Sequence, residues 1–231
     1  MNGIARNLCE VNDRIARAAA LVGRDPCGVT LVAVSKTCGP EAIREAYAAG
    51  QRRFGENYAQ ELRDKARALA DLAELRWHFI GHLQSNKAKL VAPCAAFVET
   101  VDSERLAEEL ARLARIEGVR IPCLVQVNVG EEAQKSGCAP SAVEAVLSAV
   151  ERAPGLELAG LMTLPPFDLD ASETRVYFRA LRELRDGHGG AARLPHLSMG
   201  MSHDFEAAIC EGATIVRVGT AIFGDRGLRT R

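Results

Sequence analysis

Lys36 closes the apolar run LVAVSK, and that placement is the first chemical signal in the chain. An amine at the end of a buried strand can sit partly desolvated, which lowers its pKa from about 10.4 and frees it to attack a carbonyl. Position alone suits a solvent-extended lysine equally well. Two glycine-bearing segments are more informative: LSMGMSHDFEAA (197–208) and RVGTAIFG (217–224). The first offers Gly200 for close backbone approach, Ser202 as a candidate N-cap and a helix starting near Asp204. The second sets Gly219 and Thr220 directly after an apolar run. Neither is a P-loop, because G-x-x-x-x-G-K-[ST] is absent. Arg217 alternates with Val216 and Val218, so on a strand it faces away from both. A charge turned into a core needs a ligand or an interior carboxylate, and both readings stay open. His78 and His82 are spaced for a shared metal only on a helix; on a strand they stand about 13 Å apart. Glu99, Asp102, Glu131 and Glu132 read as caps and solvated loop charges rather than an acid/base pair.

The elements that must position these residues alternate along the chain. Strand candidates cover 29–35, 52–55, 77–81, 96–100, 121–129, 156–163, 195–200 and 213–219. Helical patterns lie between them at Pro40–Ala49, Tyr58–Leu75, Ser85–Leu90, Ser103–Ile116, Ser141–Arg152, Ala171–Arg185 and Asp204–Cys210. Pro40 and Pro140 suit first helical turns, and Gly50, Gly118 and Gly212 follow helices where a left-handed residue is often needed. Several strands are apolar on both faces, as buried parallel strands are. Eight strand–helix units in 231 residues favour one closed (β/α)8 TIM barrel over residues 1–231, with an open sheet as the alternative. Ile4, Leu8, Val11, Ile15 and Leu21 add an amphipathic N-terminal helix, without the compact apolar stretch of a signal peptide.

A barrel keeps its chemistry at the carboxyl ends of its strands and often binds phosphate after strands seven and eight. The polar residues sort that way: Lys36 after strand one, Glu56 and Asn57 after two, His82 and Gln84–Asn86 after three. Asn128 falls late in five, Thr163 ends six, Ser198–Ser202 follow seven, and Gly219 and Thr220 follow eight. A phosphate cup, a lysine across the mouth and an inward arginine point to a phosphorylated aldehyde, of which pyridoxal 5′-phosphate is the commonest cofactor.

The segments LVAVSKT, RRFGENY, WHFIGHLQSNKAK, QVNVGEEAQKSG, GLMTLPP, LSMGMSHDFEAAI and RVGTAIFG resemble, in order and spacing, those of the pyridoxal-phosphate homeostasis protein family. The resemblance runs over nearly the whole chain. It implies an alanine-racemase-like barrel holding pyridoxal phosphate as a Schiff base on Lys36. It puts the phosphate near Ser198, Met199, Gly200, Gly219 and Thr220, Arg217 against the pyridine ring, and Asn57 and Met162 beside the cofactor. It also implies a carrier or regulator of vitamin B6 rather than an enzyme, with pyridoxal-phosphate-dependent apoenzymes as candidate recipients.

The residues agree with a carrier. A cation at Arg217 would disfavour the pyridinium proton on which carbanion chemistry depends. Racemases of the related fold bring a second acid/base from a C-terminal β domain, and the sequence stops at Arg231. Of Tyr47, Tyr58 and Tyr177, only Tyr58 falls near the expected mouth. Losing the β domain also removes a dimer surface, so a monomer is expected. An amino-acid racemase is the alternative, and a Schiff-base aldolase on sugar phosphates a third. A net charge of -1 argues against nucleic-acid or membrane-surface binding, and no apolar run approaches a membrane span. Seven scattered cysteines without a C-x-x-C pair fit neither a disulfide framework nor a zinc site. The expected address is the cytoplasm.

Overall fold

The computed structural model describes residues 3–132, 134–166 and 169–224. The expected span 1–231 and its end at Arg231 reach outside these residues. Eight parallel strands close into a barrel in sequence order: β1 (Thr30–Val34), β2 (Arg53–Glu56), β3 (Arg76–Phe79), β4 (Ala95–Val101), β5 (Ile121–Gln126), β6 (Leu156–Met162), β7 (His196–Ser198) and β8 (Ile215–Val218). β8 returns to β1 with Val32 opposite Arg217, which rules out the open sheet. Around the strands lie α1 (Gly3–Leu21), α2 (Pro40–Ala48), α3 (Ala59–Ala68), α4 (Ala88–Val91), α5 (Glu104–Glu117), α6 (Val143–Arg152), α7 (Ala171–Gly187), α8 (Gly190–Arg193), α9 (Phe205–Cys210) and α10 (Thr220–Phe223). No helix among the described residues is long and apolar enough to cross a membrane.

Local chemistry accounts for most helix ends. Pro40 opens α2 without losing an intrahelical bond, since its missing N–H would be an orphan there. Ser103 accepts from the Leu106 N–H at the start of α5, and Gly118 ends that helix at φ 66. Asp170 and Glu173 form a reciprocal capping box on α7. The extra helix α1 buries Leu8, Val11 and Ile15 and packs against α2, α9 and α10, although Leu21 is exposed. The expected helix 58–75 stops at Ala68, because Leu69 and Leu75 turn into the core as the chain drops back to β3. The fifth strand ends at Gln126, not 129: Val127 bridges to Cys138 and Asn128 anchors a loop. The short helices α8 and α10 have no counterpart in the sequence pattern, and α10 lies within RVGTAIFG.

Two apolar layers follow from strand alternation. The outer layer, between barrel and helices, takes residues such as Phe54, Leu161, Val216 and Val218. The inner one gathers Val32, Leu124, Ala159, Met162 and Ile215. Ala159 and Met162 are three positions apart, yet both point inward. Strict alternation forbids this, and the cause is a register shift: Cys123 pairs with Leu158 while Leu124 pairs with Gly160. Gly160 takes φ 145 there, and a Cβ on it would lie 1.9 Å from the His196 carbonyl oxygen. Only glycine fits this bulge. Gly160→Ala should therefore cost about 2–5 kcal/mol by urea denaturation, the sum of backbone strain and overpacking. Gly187→Ala, in open space at the end of α7, should be neutral or slightly stabilising; equal costs at both positions would refute the bulge argument.

Candidate functional site

The carboxyl ends of the strands surround a cavity of about 480 Å³. Lys36, half-buried, enters from the end of β1, with Val34 below it and Ile80 beyond β3 as apolar wall. Asn57 and Gly81 reach the cavity from the loops after β2 and β3, and these loops touch: a Cβ on Gly81 would stand 2.0 Å from the Asn57 carbonyl oxygen. Ser202, Gly219 and Thr220 line the cavity from the turns after β7 and β8. Because β8 is the neighbour of β1 in the closed sheet, Lys36 stands beside this turn and not, as expected from the sequence, across the mouth from it. Ser202 does not cap α9. Its hydroxyl accepts from the N–H groups of Gly219 at 3.2 Å and Ala221 at 3.5 Å, tying together the loops after β7 and β8. Asp204 instead steadies its own turn by accepting from the Met201 N–H at 2.6 Å.

Arg217 forms the floor. It is only 3% exposed and still lines the cavity. Burial pushes its pKa below the usual guanidinium value, and the charges of Glu99 and Asp204 offset only part of that. Nη2 donates to the Thr163 carbonyl at 2.9 Å, and Nη1 donates to the Ser198 hydroxyl. That hydroxyl donates its own hydrogen bond to Glu99 Oε2 at 2.5 Å, and Glu99 Oε1 meets His78 Nδ1 at 2.6 Å. The His78 ring stacks on Phe97 with centroids 5.1 Å apart. The two readings of Arg217 thus hold together: it has an interior carboxylate, with Nη1 4.0 Å from Glu99, and it faces the cavity.

Glu99 corrects an expectation. It is no solvated loop charge but a fully buried group inside the barrel, where β4 turns it toward His78 and Ser198. Burial raises its pKa; the bonds from His78 and Ser198 and the charge of Arg217 outweigh that and leave it below the usual carboxylate value. Asp102, by contrast, lies 3.5 Å from His82, so the two histidines serve separate carboxylates.

The other expected site residues divide. Lys36, Asn57, Arg217, Gly219 and Thr220 share the cavity. Met162 sits in the inner apolar layer with Val32 and Leu124. Ser198 is engaged between Arg217 and Glu99, and the Met199 side chain packs into the outer core. Gly200, at φ 93, lets α9 approach: a Cβ would fall 2.6 Å from that of Ala208. From this segment Met201, Ser202 and His203 reach the cavity. Tyr58 is 57% exposed at the N-cap of α3 and is not among the lining residues.

Sequence reasoning missed a wall of the cavity. Gln126, Gln134, Lys135 and Ser136 come from the end of β5 and the loop that follows, while Leu164 and Pro165 follow β6. The signal was the length of the segment between strand five and its helix, since long loops in compact domains are usually functional. Asn128 fixes this loop, its amide bonding the backbone of Glu132 in both directions, and Lys135 pairs with Glu132 at 2.6 Å.

A closed parallel barrel with a lysine at the end of its first strand and an arginine on its last defines the class. The family described as "Alanine racemase, N-terminal domain" matches residues 7–227. The chain is 49% identical over 229 residues to the pyridoxal phosphate homeostasis protein of Pseudomonas aeruginosa, covering 98% of this chain and 97% of that one. It matches the structure of PipY from Synechococcus elongatus with pyridoxal phosphate bound, at TM-score 0.78 and 40% identity, covering 91% of this chain and all (100%) of that one. An alanine racemase from Corynebacterium glutamicum shares the fold at TM-score 0.67 and 18% identity, over 100% of this chain and 62% of the racemase. Within the barrels of the alanine racemase N-terminal domain, this chain belongs to the pyridoxal phosphate homeostasis protein family.

The buried carboxylate has a measurable consequence. Because the folded pKa of Glu99 is depressed, its stabilisation is complete above its ordinary value of 4.5 and is lost as pH falls through the folded value. Glu99→Gln should cost about 3–5 kcal/mol at neutral pH, since Arg217 and His78 lose their anion. Its stability should also fall less steeply than the parent's below pH 4.5. Parallel acid limbs in urea titrations would show that Glu99 does not carry this dependence.

Proposed function

We propose that this chain binds pyridoxal 5′-phosphate at the barrel mouth, carries it covalently on Lys36 Nζ, and serves as a cofactor carrier rather than an enzyme. The observation that carries this reading is the convergence in one cavity of the Lys36 amine, the Arg217 guanidinium and the tied turns after β7 and β8. A volume of about 480 Å³ is suited to a small ligand. Val34, Ile80 and Leu164 provide apolar wall for an aromatic ring. Asn57 Oδ1 and Gln126 Oε1 are buried in the lining without a hydrogen-bond partner. An unsatisfied buried acceptor costs about 1–3 kcal/mol, which a ligand hydroxyl would relieve. Gly219, Thr220 and Ser202 form the turn where barrels of this type take phosphate. Ser198 holds the Arg217 side chain and the Gly200 carbonyl accepts the Arg217 backbone N–H, while Met199 and Met162 pack into the outer and inner apolar layers.

When bound, the cofactor supplies an aldehyde that condenses reversibly with a primary amine, releasing water. Lys36 supplies that amine. Arg217, held in place by Ser198 and the Thr163 carbonyl, offers hydrogen-bond donors to a ring nitrogen where an electron sink needs a carboxylate. This favours storage over carbanion chemistry. The relatives are named for homeostasis, not for a reaction. We extend the proposal to a cytoplasmic, monomeric, single-domain chain over 1–231, with pyridoxal-phosphate-dependent apoenzymes as recipients.

With pyridoxal phosphate added, the parent should gain a visible absorption band that borohydride bleaches while fixing the added mass on Lys36. Lys36→Ala should gain neither, and the same band in both would sink the assignment. Arg217→Met, if folded by circular dichroism, should bind the cofactor about tenfold or more weaker; unchanged affinity would make Arg217 purely structural. Steady-state assays with both enantiomers of common amino acids should show no turnover. Lys36-dependent racemisation would replace the carrier with the racemase reading.

A further inference from the structure

Beneath Lys36, on the outer side of the barrel, lies a second lysine that the cavity does not use. Lys65, on α3, is 6% exposed, and its ammonium ends between three oxygens. Nζ donates to the Ser35 carbonyl at 2.7 Å and to Glu56 Oε1 at 2.7 Å, and lies 2.7 Å from Glu61 Oε1. Two of its three donors are spent on Ser35 and Glu56, and the charge is shared with Glu61. Both carboxylates also hold the strand end directly. Glu56 Oε1 accepts from the Ser35 hydroxyl at 2.6 Å, and Glu61 Oε1 accepts from the Thr37 N–H at 2.6 Å. The residues on either side of Lys36 are therefore fastened to one buried charge cluster.

The backbone there needs fastening. Thr37 takes φ 64, a left-handed conformation that a β-branched residue rarely adopts. Strain of this kind persists only where the surroundings over-determine it, and it clusters where a side chain must be aimed. The cluster is costly as well: burial pushes the Glu56 pKa up, with Lys65 and Ser35 acting against it. A well-packed apolar contact between α3 and the barrel would avoid that cost.

We propose that Lys65, through Glu56 and Glu61, is a positioning residue that clamps the Ser35–Thr37 turn and so aims the Lys36 amine into the cavity. The inference rests on Lys36 being the cofactor-bearing amine, as proposed above. Lys65 touches neither the cavity nor a ligand; it acts by holding the peptide on both sides of Lys36.

The test compares two probes. Pyridoxal phosphate has the aldehyde that Lys36 needs; pyridoxine 5′-phosphate has an alcohol instead and reports on the rest of the cavity. In Lys65→Met, formation of the borohydride-sensitive band should be about 10- to 100-fold slower, the range expected when a reacting group is misplaced by about an ångström. Affinity for pyridoxine 5′-phosphate should match the parent's. Lys65→Arg should recover part of the rate, because a guanidinium can still bridge carboxylates. Should Lys65→Met fail to fold, Glu61→Ala releases Thr37 while Lys65 keeps its bonds to Ser35 and Glu56, and should slow the band in the same way. Parent-like band formation in a folded Lys65→Met, or in Glu61→Ala when Lys65→Met is unfolded, would overturn the proposal. So would equal losses for both probes, which would mark a general collapse of the site. Lys36→Ala separates the two levels. If that variant keeps the band, the cofactor site itself is misassigned. If it loses the band while the Lys65 variant keeps the parent rate, only the clamp is refuted.

Discussion

A guanidinium inside a barrel must be answered by an anion, and much of the site follows from how Arg217 is answered. Removing an unpaired charge from water costs several kcal/mol even after relaxation. Here the answering carboxylate, Glu99, comes from the far side of the barrel and is 4.0 Å from Nη1. The gap is closed by Ser198, whose hydroxyl accepts from the arginine and donates to the carboxylate. His78 completes the chain on the other carboxylate oxygen. Four strands, β3, β4, β7 and β8, thus contribute one residue each to a single polar line across the interior. Closure of the barrel is what brings them together.

Fixing Arg217 in this way leaves it able to face the cavity without collapsing onto a carboxylate there. Charge balance is provided behind the guanidinium, and its donors at the mouth remain directed at whatever the cavity holds. The same separation recurs at Lys36. Its neighbours Ser35 and Thr37 are held by a charge cluster on the helix side of β1, so the side chain that reaches the cavity is not the group that anchors the backbone. In both places the reactive face is kept distinct from the supporting one, which is how rigid elements preorganise a site.

Much of this was legible from residue order. Eight apolar runs alternating with helical patterns implied the barrel, and Arg217 between Val216 and Val218 implied an inward charge. Lys36, Asn57, Gly219 and Thr220 were legible as strand-end residues, and the cavity brings them together. The loop 127–139 was not, because its contribution depends on a bridge between Val127 and Cys138 that no periodicity announces. Lys65 fell within the expected helix 58–75 with no signal to set it apart, and is among the buried charges.

Alternation, a property of each strand alone, told which face of a regular strand a residue takes. It could not tell where a strand changes phase. Met162 points inward only because Gly160 accepts an extra residue against β5. Glu99 takes the inner face by ordinary alternation with Phe97, and became a counter-ion because β4 lies across the barrel from β7 and β8. Ser198 and Ser202, two small hydroxyls in one short motif, received opposite tasks, one inside the barrel and one tying two loops. Strand order and facing arise from local stereochemistry, so the chain carries them in its own pattern. Phase shifts and charge pairing across a closed sheet depend on which distant residues arrive opposite, and only the folded barrel decides that.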